Sequence, residues 1–597
     1  KVLIIQMKGA DYYYPPPGDK PDDGEFVHFY YNTGTYEIIA IKSVDPVSKL
    51  IVFIDELQRD FDNGAAIQLA KVVEHNIGVV NSEIQVKPWD GSTGGVFPIL
   101  TYTKLILNAD INAEGAGFRG ADPSGDPDYT RGCQISNTAY FHVDSAQKGG
   151  LKGESFITNA SVWRRGFGRA GNGGGGTNGM FGGGGGGANY GTGGEGGKQA
   201  GGCSNTIASG GIAEPSYFYT ESGNKVTFGG GGGASTRNAD HVATKGGNGG
   251  GLILILTQTI ESNNAGLIVN GEDVAGIATA GGGGGGAGGT VLLDYTTIVG
   301  NLTVDVSGGM GGTVQKEDIC VGAGGGGGGG MFWYGGDEYP AMVTVDTSVG
   351  EAGGIESECV NNNYFAFDGG SGDALGNLRL PLTGFLFNFI EGTDTICAGQ
   401  VPDTIKASMP RGGDGVFDYI WQYSLDSVNW SNYSADPEDS INFTTNPLDT
   451  TTYFRRVVTS AGQYDTSKFV KIFVWPAIEN NEIGENQVLC YKEKAETLSG
   501  EQPSGGDDNF FFRWEISNNL ETWTGVDSST TNNTIEPGVM NDTAYYRRYI
   551  QSVMVCQDYS DTVAIIVQPD LQNYDISGNQ EECYGYLPDK LAGTDTV

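Results

Sequence analysis

Short apolar runs bounded by turn residues, rather than stripes at helical spacing, set the texture of the chain. Val2-Leu3-Ile4-Ile5-Gln6-Met7 reads as a buried strand, residues 12–17 (YYYPPP) interrupt it, and residues 26–31 resume with aromatic strand formers. Asn32-Thr33-Gly34 is a turn signal leading into residues 36–41, which predicts a hairpin. Across 66–75, Ile67, Leu69, Lys71 and Val73 alternate with Gln68, Ala70 and Val72, so a strand is expected there rather than a helix.

A longer unit then recurs. Residues 96–115, 252–271 and 290–309 each follow a Gly-Gly and run through an apolar strand, a Thr-containing turn, a second short strand and a return to glycine. Units of this size bury their apolar faces by stacking on one another. Between them lie glycine runs, the longest being the seven consecutive residues 324–330, with 173–176, 182–187, 229–233 and 281–286 as relatives. Such runs taken alone read as flexible linkers, but linkers do not carry Leu252-Ile253-Leu254-Ile255-Leu256 at their exits. The expected alternative is an extended poly-glycine II helix with three residues per turn and about 3.1 Å rise, whose backbone groups pair sideways with neighbours.

Beyond residue 377 a second repeat takes over. Cys397, Cys490 and Cys583 are spaced by 93 residues, as are Trp421 and Trp514, and Trp430 and Trp523. Tyr453-Phe454-Arg455-Arg456 returns as Tyr545-Tyr546-Arg547-Arg548. That size and pattern predict immunoglobulin-like β-sandwiches. The expected fold is all-β: an N-terminal β-domain (1–112) merged with a glycine-rich domain of poly-glycine II helices between strands (113–376), two sandwich repeats (377–476 and 477–568) and the start of a third (569–597). In the second repeat Cys490 and Cys556 are placed to bridge its two sheets, leaving Cys397 without that partner. Cys133, Cys203, Cys320 and Cys359 are further disulfide candidates in an oxidising compartment.

Composition narrows the function. With 72 acidic against 34 basic residues the net charge is −38, which repels nucleic acid and anionic membrane. No apolar run reaches the 18–20 residues of a membrane helix, so no direct membrane insertion is expected. The start at Lys1 leads to the expectation that a signal peptide has been removed or that the chain is a segment of something larger, and the barely begun third repeat to the expectation that the natural protein continues.

Several segments carry a resemblance. Residues 2–10 (VLIIQMKGA), 89–96 (WDGSTGGV), 105–111 (LILNADI) and 115–120 (GAGFRG), followed by a glycine-rich block and tandem Cys…Trp…Tyr-x-Arg-Arg modules, resemble the N-terminal region of the very large surface adhesins of gliding Bacteroidota. The resemblance implies export through the type IX secretion system, location on the outer cell surface, external surfaces or polysaccharide and the gliding machinery as partners, and a role in attachment. The glycine runs are also similar to those of certain phage tail-tip adhesins and of one class of animal receptor kinase, a likeness of architecture only. The expected function is therefore a non-enzymatic adhesin, with a filament or assembly subunit, or an accessory region of an exported polysaccharide hydrolase, as alternatives.

The resemblance also implies Bacteroidota O-glycosylation at Asp-Ser/Thr tripeptides, which occur at Ser145, Thr395, Thr404, Ser427, Ser440, Thr450, Thr543, Thr562 and Thr596. Catalytic patterns are missing: the four histidines have no ligand spacing, and Gly196-Gly197-Lys198-Gln199 lacks both ends of a phosphate-binding loop. No organic cofactor is expected. Asp122, Asp126 and Asp128 supply the hard oxygens that Ca²⁺ takes, but their spacing does not match an EF-hand and a solvated acidic loop is the favoured alternative. Trp163, Phe167, Phe181, Tyr190, Phe332, Trp333 and Tyr334 adjoin glycine runs, where they form either a contact face or the caps and filling of the core.

Overall fold

A computed structural model describes the chain except for residues 12–28, 126–132, 136–138, 143–147, 159–163, 199–205, 316–319, 356–364, 434–440, 528–532, 571, 573–574 and 594–597. Among the described residues all regular elements are β-strands. They form two compact units, Lys1–Leu386 with Arg411–Gly415, and Phe387–Pro410 with Val416–Val597.

Two parallel sheets organise the first unit. Val73–Val80, Val96–Leu107, Leu252–Ser262, Thr290–Asp294, Met331–Tyr334 and Asp373–Leu375 lie side by side in one, with Thr297–Val299 also paired to Leu252–Ser262. Ile84–Gln85, Ile111–Asn112, Ala265–Ile268, Leu302–Asp305 and Val343–Asp346 form the other. Each recurring unit thus gives its first strand to one sheet and its second to the other. Strands buried on both faces carry unbroken apolar runs, and Leu105, Ile253, Ile255, Leu267, Val291, Leu293 and Val304 make one core with Phe332. Two further members of the series start at Val73 and Met331: no Gly-Gly precedes the first, and Gly335-Gly336 directly follows the first strand of the second, which masks the likeness in the sequence.

The boundary expected at residue 112 falls inside these sheets, since strands on both sides of it pair directly: Val96–Leu107 with Leu252–Ser262, and Ile111–Asn112 with Ala265–Ile268. Among the described residues, which leave out 26–28 of its first strand, the expected hairpin does not form. Tyr36–Ile39 pairs antiparallel with Val2–Lys8, whose other edge takes Ala66–Lys71, while Phe29 makes only an isolated bridge to Asp11. The turn at 31–34 is present, but Gln6 donates to the Thr35 carbonyl and Gly34 to the Gln6 carbonyl. Those bonds deliver the chain to the first strand rather than back on itself.

The glycine runs are buried and hydrogen-bonded to neighbouring segments. Along 324–330 the amide donors address three neighbours in strict rotation. Gly324, Gly327 and Gly330 donate to the carbonyls of Gly312, Gly309 and Val306; Gly325 and Gly328 to Gly184 and Gly187; Gly326 and Gly329 to Phe367 and Gly370. The carbonyls accept from three further segments, through Gly353 and Gly350, Gly285 and Gly288, and Gly194 and Gly191. Six segments therefore surround this run, a density that leaves no space for side chains: a Cβ on Gly324, Gly327 or Gly330 would lie 1.8, 1.9 or 2.1 Å from a carbonyl oxygen of a neighbour. These bonds exclude the flexible-linker reading.

In the second unit the two repeats have the same plan. The first joins Asp394–Cys397, Val470–Trp475, Thr452–Ser460, Asp418–Ser424 and Ser431–Asn432 in order, with Gln463–Thr466 also on Thr452–Ser460. In the second, Gln487–Cys490, Val563–Gln568, Ala544–Ser552, Phe511–Ser517 and Thr524–Asp527 follow that order, with Cys556–Tyr559 on Ala544–Ser552. In both, the first strand runs parallel to the last and a two-stranded sheet covers the core, which is the β-sandwich the period predicts.

The recurring aromatic and arginine positions now have physical roles. Trp421 and Trp514 are buried in the two cores. Arg455 stacks on Trp430 and Arg547 on Trp523, each with the guanidinium 4.2 Å from the ring centroid. Arg456 and Arg548 are fully buried and hold loops by donating to Asn388 and the Ser408 carbonyl, and to Asn481 and the Glu501 carbonyl. Burial lowers both guanidinium pKa values to about 10. The second arginine of the motif is thus a structural pin.

Candidate functional site

The predicted site residues separate into three groups. Phe181, Phe332, Trp333 and Tyr334 are buried, so the contact-face expectation is corrected for them: the core-filling alternative holds. Met331–Tyr334 pairs on both edges, with Thr290–Asp294 and Asp373–Leu375, and Trp333 Nε1 donates to the Gly376 carbonyl at 2.9 Å. Phe167 is half-buried against Tyr140, and Tyr190 half-buried near Tyr219. Trp163 lies outside the described residues.

The disulfide expectation is also corrected. Cys556 bonds to Cys397 across the boundary between the two repeats, with their Cα atoms 5.1 Å apart, while Cys490 and Cys583 are exposed free thiols. Strand register explains the pairing. Cys397 stands opposite Trp475, the residue before the Pro476 linker, and the sulfurs of Cys397 and Cys556 both approach the Pro476 carbonyl, at 3.6 and 3.7 Å. Cys490 instead stands opposite Gln568, at the exit of the second repeat. Cys133 and Cys320 are disulfide-bonded, and Cys203 and Cys359 lie outside the described residues.

Asp122 is exposed; Asp126 and Asp128 lie outside the described residues, and no three candidate ligands come together among those described. Of the glycosylation candidates, Thr395, Thr404, Thr450 and Thr562 are exposed, Ser427 and Thr543 half-buried, and Ser145, Ser440 and Thr596 outside the described residues.

One cavity in the first unit, unforeseen in the sequence, brings charged groups together. It measures about 370 Å³ and is lined by Lys8, Arg119, Arg164, Lys245, Glu154 and Asp122, with Lys152 among the remaining walls. Lys8 comes from the first strand and Arg119 and Asp122 follow the recurring unit at 96–115, whereas Lys245 closes the loop before a glycine run. Glu154 is saturated: Lys8 donates at 2.6 Å, Trp89 Nε1 at 3.1 Å and Arg119 Nε at 2.7 Å, with the Arg119 amide at 3.1 Å. Burial pushes its carboxyl up, but the Lys8 charge and these donors outweigh that and hold it at about 2. Desolvation lowers the Lys8 ammonium despite the Glu154 contact. Lys152 is buried over the Phe141 ring and donates to the carbonyls of Tyr140 and Gly168; burial drives its ammonium far below the usual lysine range. Among the described residues no carboxylate pairs with Lys245.

Residues 387–476 and 479–569 each match a family described as a domain of unknown function, DUF8696. No curated protein matches the chain. Solved structures similar to part of it include Drosophila OTK extracellular domains 3–5 (10% identity, 35% of this chain and 68% of that one, TM-score 0.22). The four N-terminal Ig domains of Dscam1 isoform 6.9 (6%, 34% and 50%, 0.19) and the insect immune protein hemolin (17%, 37% and 55%, 0.21) are others. The chain thus spans 50 to 68% of the length of those structures. Among the described residues no helix is long and apolar enough to cross a membrane.

Proposed function

We propose that the chain is a non-enzymatic cell-surface adhesin in which the first unit makes contact and the sandwich repeats carry it. The observation behind this reading is the Cys397–Cys556 bond, which ties successive repeats rather than the two sheets of one. A covalent tie across a linker resists separation under pull, which suits a load-bearing stalk and serves no catalytic purpose. We further read the glycine runs as poly-glycine II helices: rotation through three donor partners per three residues is what three residues per turn requires. Such a rod is stiff along 324–330, because each backbone group there is held by a neighbouring segment.

Secretion by the type IX system and use in gliding are the finer parts of the proposal and rest on the resemblance of the N-terminal segments and tandem modules. Beads coated with the purified chain should attach to polysaccharide-coated glass, and antibody fragments against the first unit should abolish the attachment while fragments against the second unit leave it. Attachment indifferent to the first-unit antibodies would refute the assignment of contact to that unit.

A further inference from the structure

The cavity around Glu154 is unusual for its charge. The chain carries more than twice as many acidic as basic residues, yet this lining holds the largely buried Lys8 and the exposed Arg119, Arg164 and Lys245 beside two carboxylates, Glu154 and Asp122. Glu154 offsets part of this charge internally, since both of its oxygens are taken by Lys8, Arg119 and Trp89. Lys245 has no such counterpart among the described residues. Like charges gathered around one concave surface repel, and the repulsion is relieved by an anion bound between them.

We propose that this cavity binds a compact, hydroxylated oxyanion: a sugar-sized ligand bearing one carboxylate or sulfate. The proposal deepens the adhesin reading and rests on it only for the biological source of the ligand. Three observations set the class. First, lysine and arginine favour oxygen anions, through charge-assisted hydrogen bonds that shorten and strengthen in a concave site. Second, Asp122 and Thr158 sit on the same lining. In place of water, sugar hydroxyls can donate to the exposed Asp122 carboxylate, whereas a bare inorganic oxyanion only repels it. Third, about 370 Å³ is small for a binding cleft and admits a unit of one or two rings. The net charge of −38 opposes a long polyanion lying across the surface, so the recognised group is a single charged residue, as at a chain end.

The lining backbone contributes little, because its amides are already spent: Gly153 donates to Gly174, Ala121 to Gly232, Thr158 to Ala10, and Gly120 to the Asn248 side chain. Recognition therefore falls to side chains. Arg119 and Lys8 are held in place by Glu154, and Lys245 and Arg164, both exposed, close over the ligand.

The test is calorimetric titration of the whole chain with glucuronate, galactose 6-sulfate, galactose and inorganic sulfate. Both anionic sugars should bind, neutral galactose should not, and inorganic sulfate should bind more weakly than either anionic sugar. Lys245→Ala and Arg164→Ala, which remove exposed side chains, should each weaken the anionic sugars about tenfold, and Asp122→Asn should weaken the sugars without weakening sulfate. Absence of heat with both anionic sugars would overturn the proposal, as would equal binding of galactose. Sulfate binding as tightly as the sugars would overturn the sugar class. Because the readout is binding by the isolated chain, loss of bead attachment with this binding intact would count against the adhesin reading alone.

Discussion

Replacing Gly327 by Ala should collapse local order around the longest glycine run. A Cβ built there lies 1.9 Å from the Gly286 carbonyl oxygen and 2.5 Å from its carbon, both backbone atoms. Ordinary contact begins near 3.4 Å, so the two runs must separate by about 1.5 Å. The neighbouring run cannot yield freely, since a Cβ on Gly286 would itself stand 1.9 Å from the Asn248 carbonyl oxygen. Separation stretches the bonds from Gly327 to the Gly309 carbonyl (2.9 Å), from Gly350 to the Gly327 carbonyl (2.8 Å) and from Gly309 to the Gly286 carbonyl (2.8 Å). Three lost bonds at about 1 kcal/mol each, with at least about 1 kcal/mol of overpacking strain, give a destabilisation of about 4 kcal/mol. Gly354→Ala is the control. That residue is exposed, its Cβ would meet Thr313 no closer than 3.7 Å, and its backbone needs no left-handed conformation, so the change should be neutral or stabilising by up to about 1 kcal/mol. Urea titration followed by amide hydrogen exchange of first-unit peptides reads both. If Gly327→Ala keeps the parent's exchange protection and midpoint, the close-packed description of the runs is wrong.

Other changes separate structural roles. Arg456→Ala removes the donors held by Asn388 and the Ser408 carbonyl inside the sandwich and should cost about 3 kcal/mol, whereas Arg455→Ala forfeits its stacking on Trp430 and a part-buried hydrogen bond to the Gln422 side chain, about 1 kcal/mol, by urea titration. Peptide mapping without reduction should recover Cys397 joined to Cys556 and find Cys490 and Cys583 alkylated; a Cys490–Cys556 peptide would refute the inter-repeat tie. Glu154→Gln strands the buried Lys8 ammonium and should destabilise the first unit by about 3 kcal/mol. Because the Glu154 carboxyl is held at about 2, below its ordinary 4.5, its contribution is full above pH 4.5 and fades as pH falls through 2. The variant should lose that part of the acid limb, and an unchanged limb would count against the Lys8–Glu154–Arg119 cluster.

Much of the architecture was legible because it is written in local periodicity. Continuous apolar runs such as 252–256 announce buried strands, and the 93-residue spacing of Cys, Trp and Tyr-x-Arg-Arg announces the two sandwiches. The candidate site was far less legible. Lys8, Arg119, Glu154 and Lys245 share no motif, and only folding brings positions so distant in the chain to one cavity. The aromatic residues beside glycine runs misled for a related reason: adjacency to a run says nothing about which side of a sheet a residue faces, and Met331–Tyr334 is covered on both. Cys490 and Cys556 share a repeat and so suggested a pair, whereas the bond follows proximity at the Pro476 linker.

The sequence by itself determined that the chain is built of strands, that its glycine runs lie among apolar segments, and that its later part repeats. Those properties depend on residue type at short range: side-chain alternation, turn chemistry and copied segments. Tertiary structure alone decided that strands on either side of residue 112 share parallel sheets, that each glycine run is gripped by several others, that Cys397 meets Cys556, and that basic side chains gather in an acidic protein. Each of these is a contact between distant segments, chosen by what must be buried and paired at once. No single stretch of sequence carries that information, because burial and pairing are satisfied only by the folded whole.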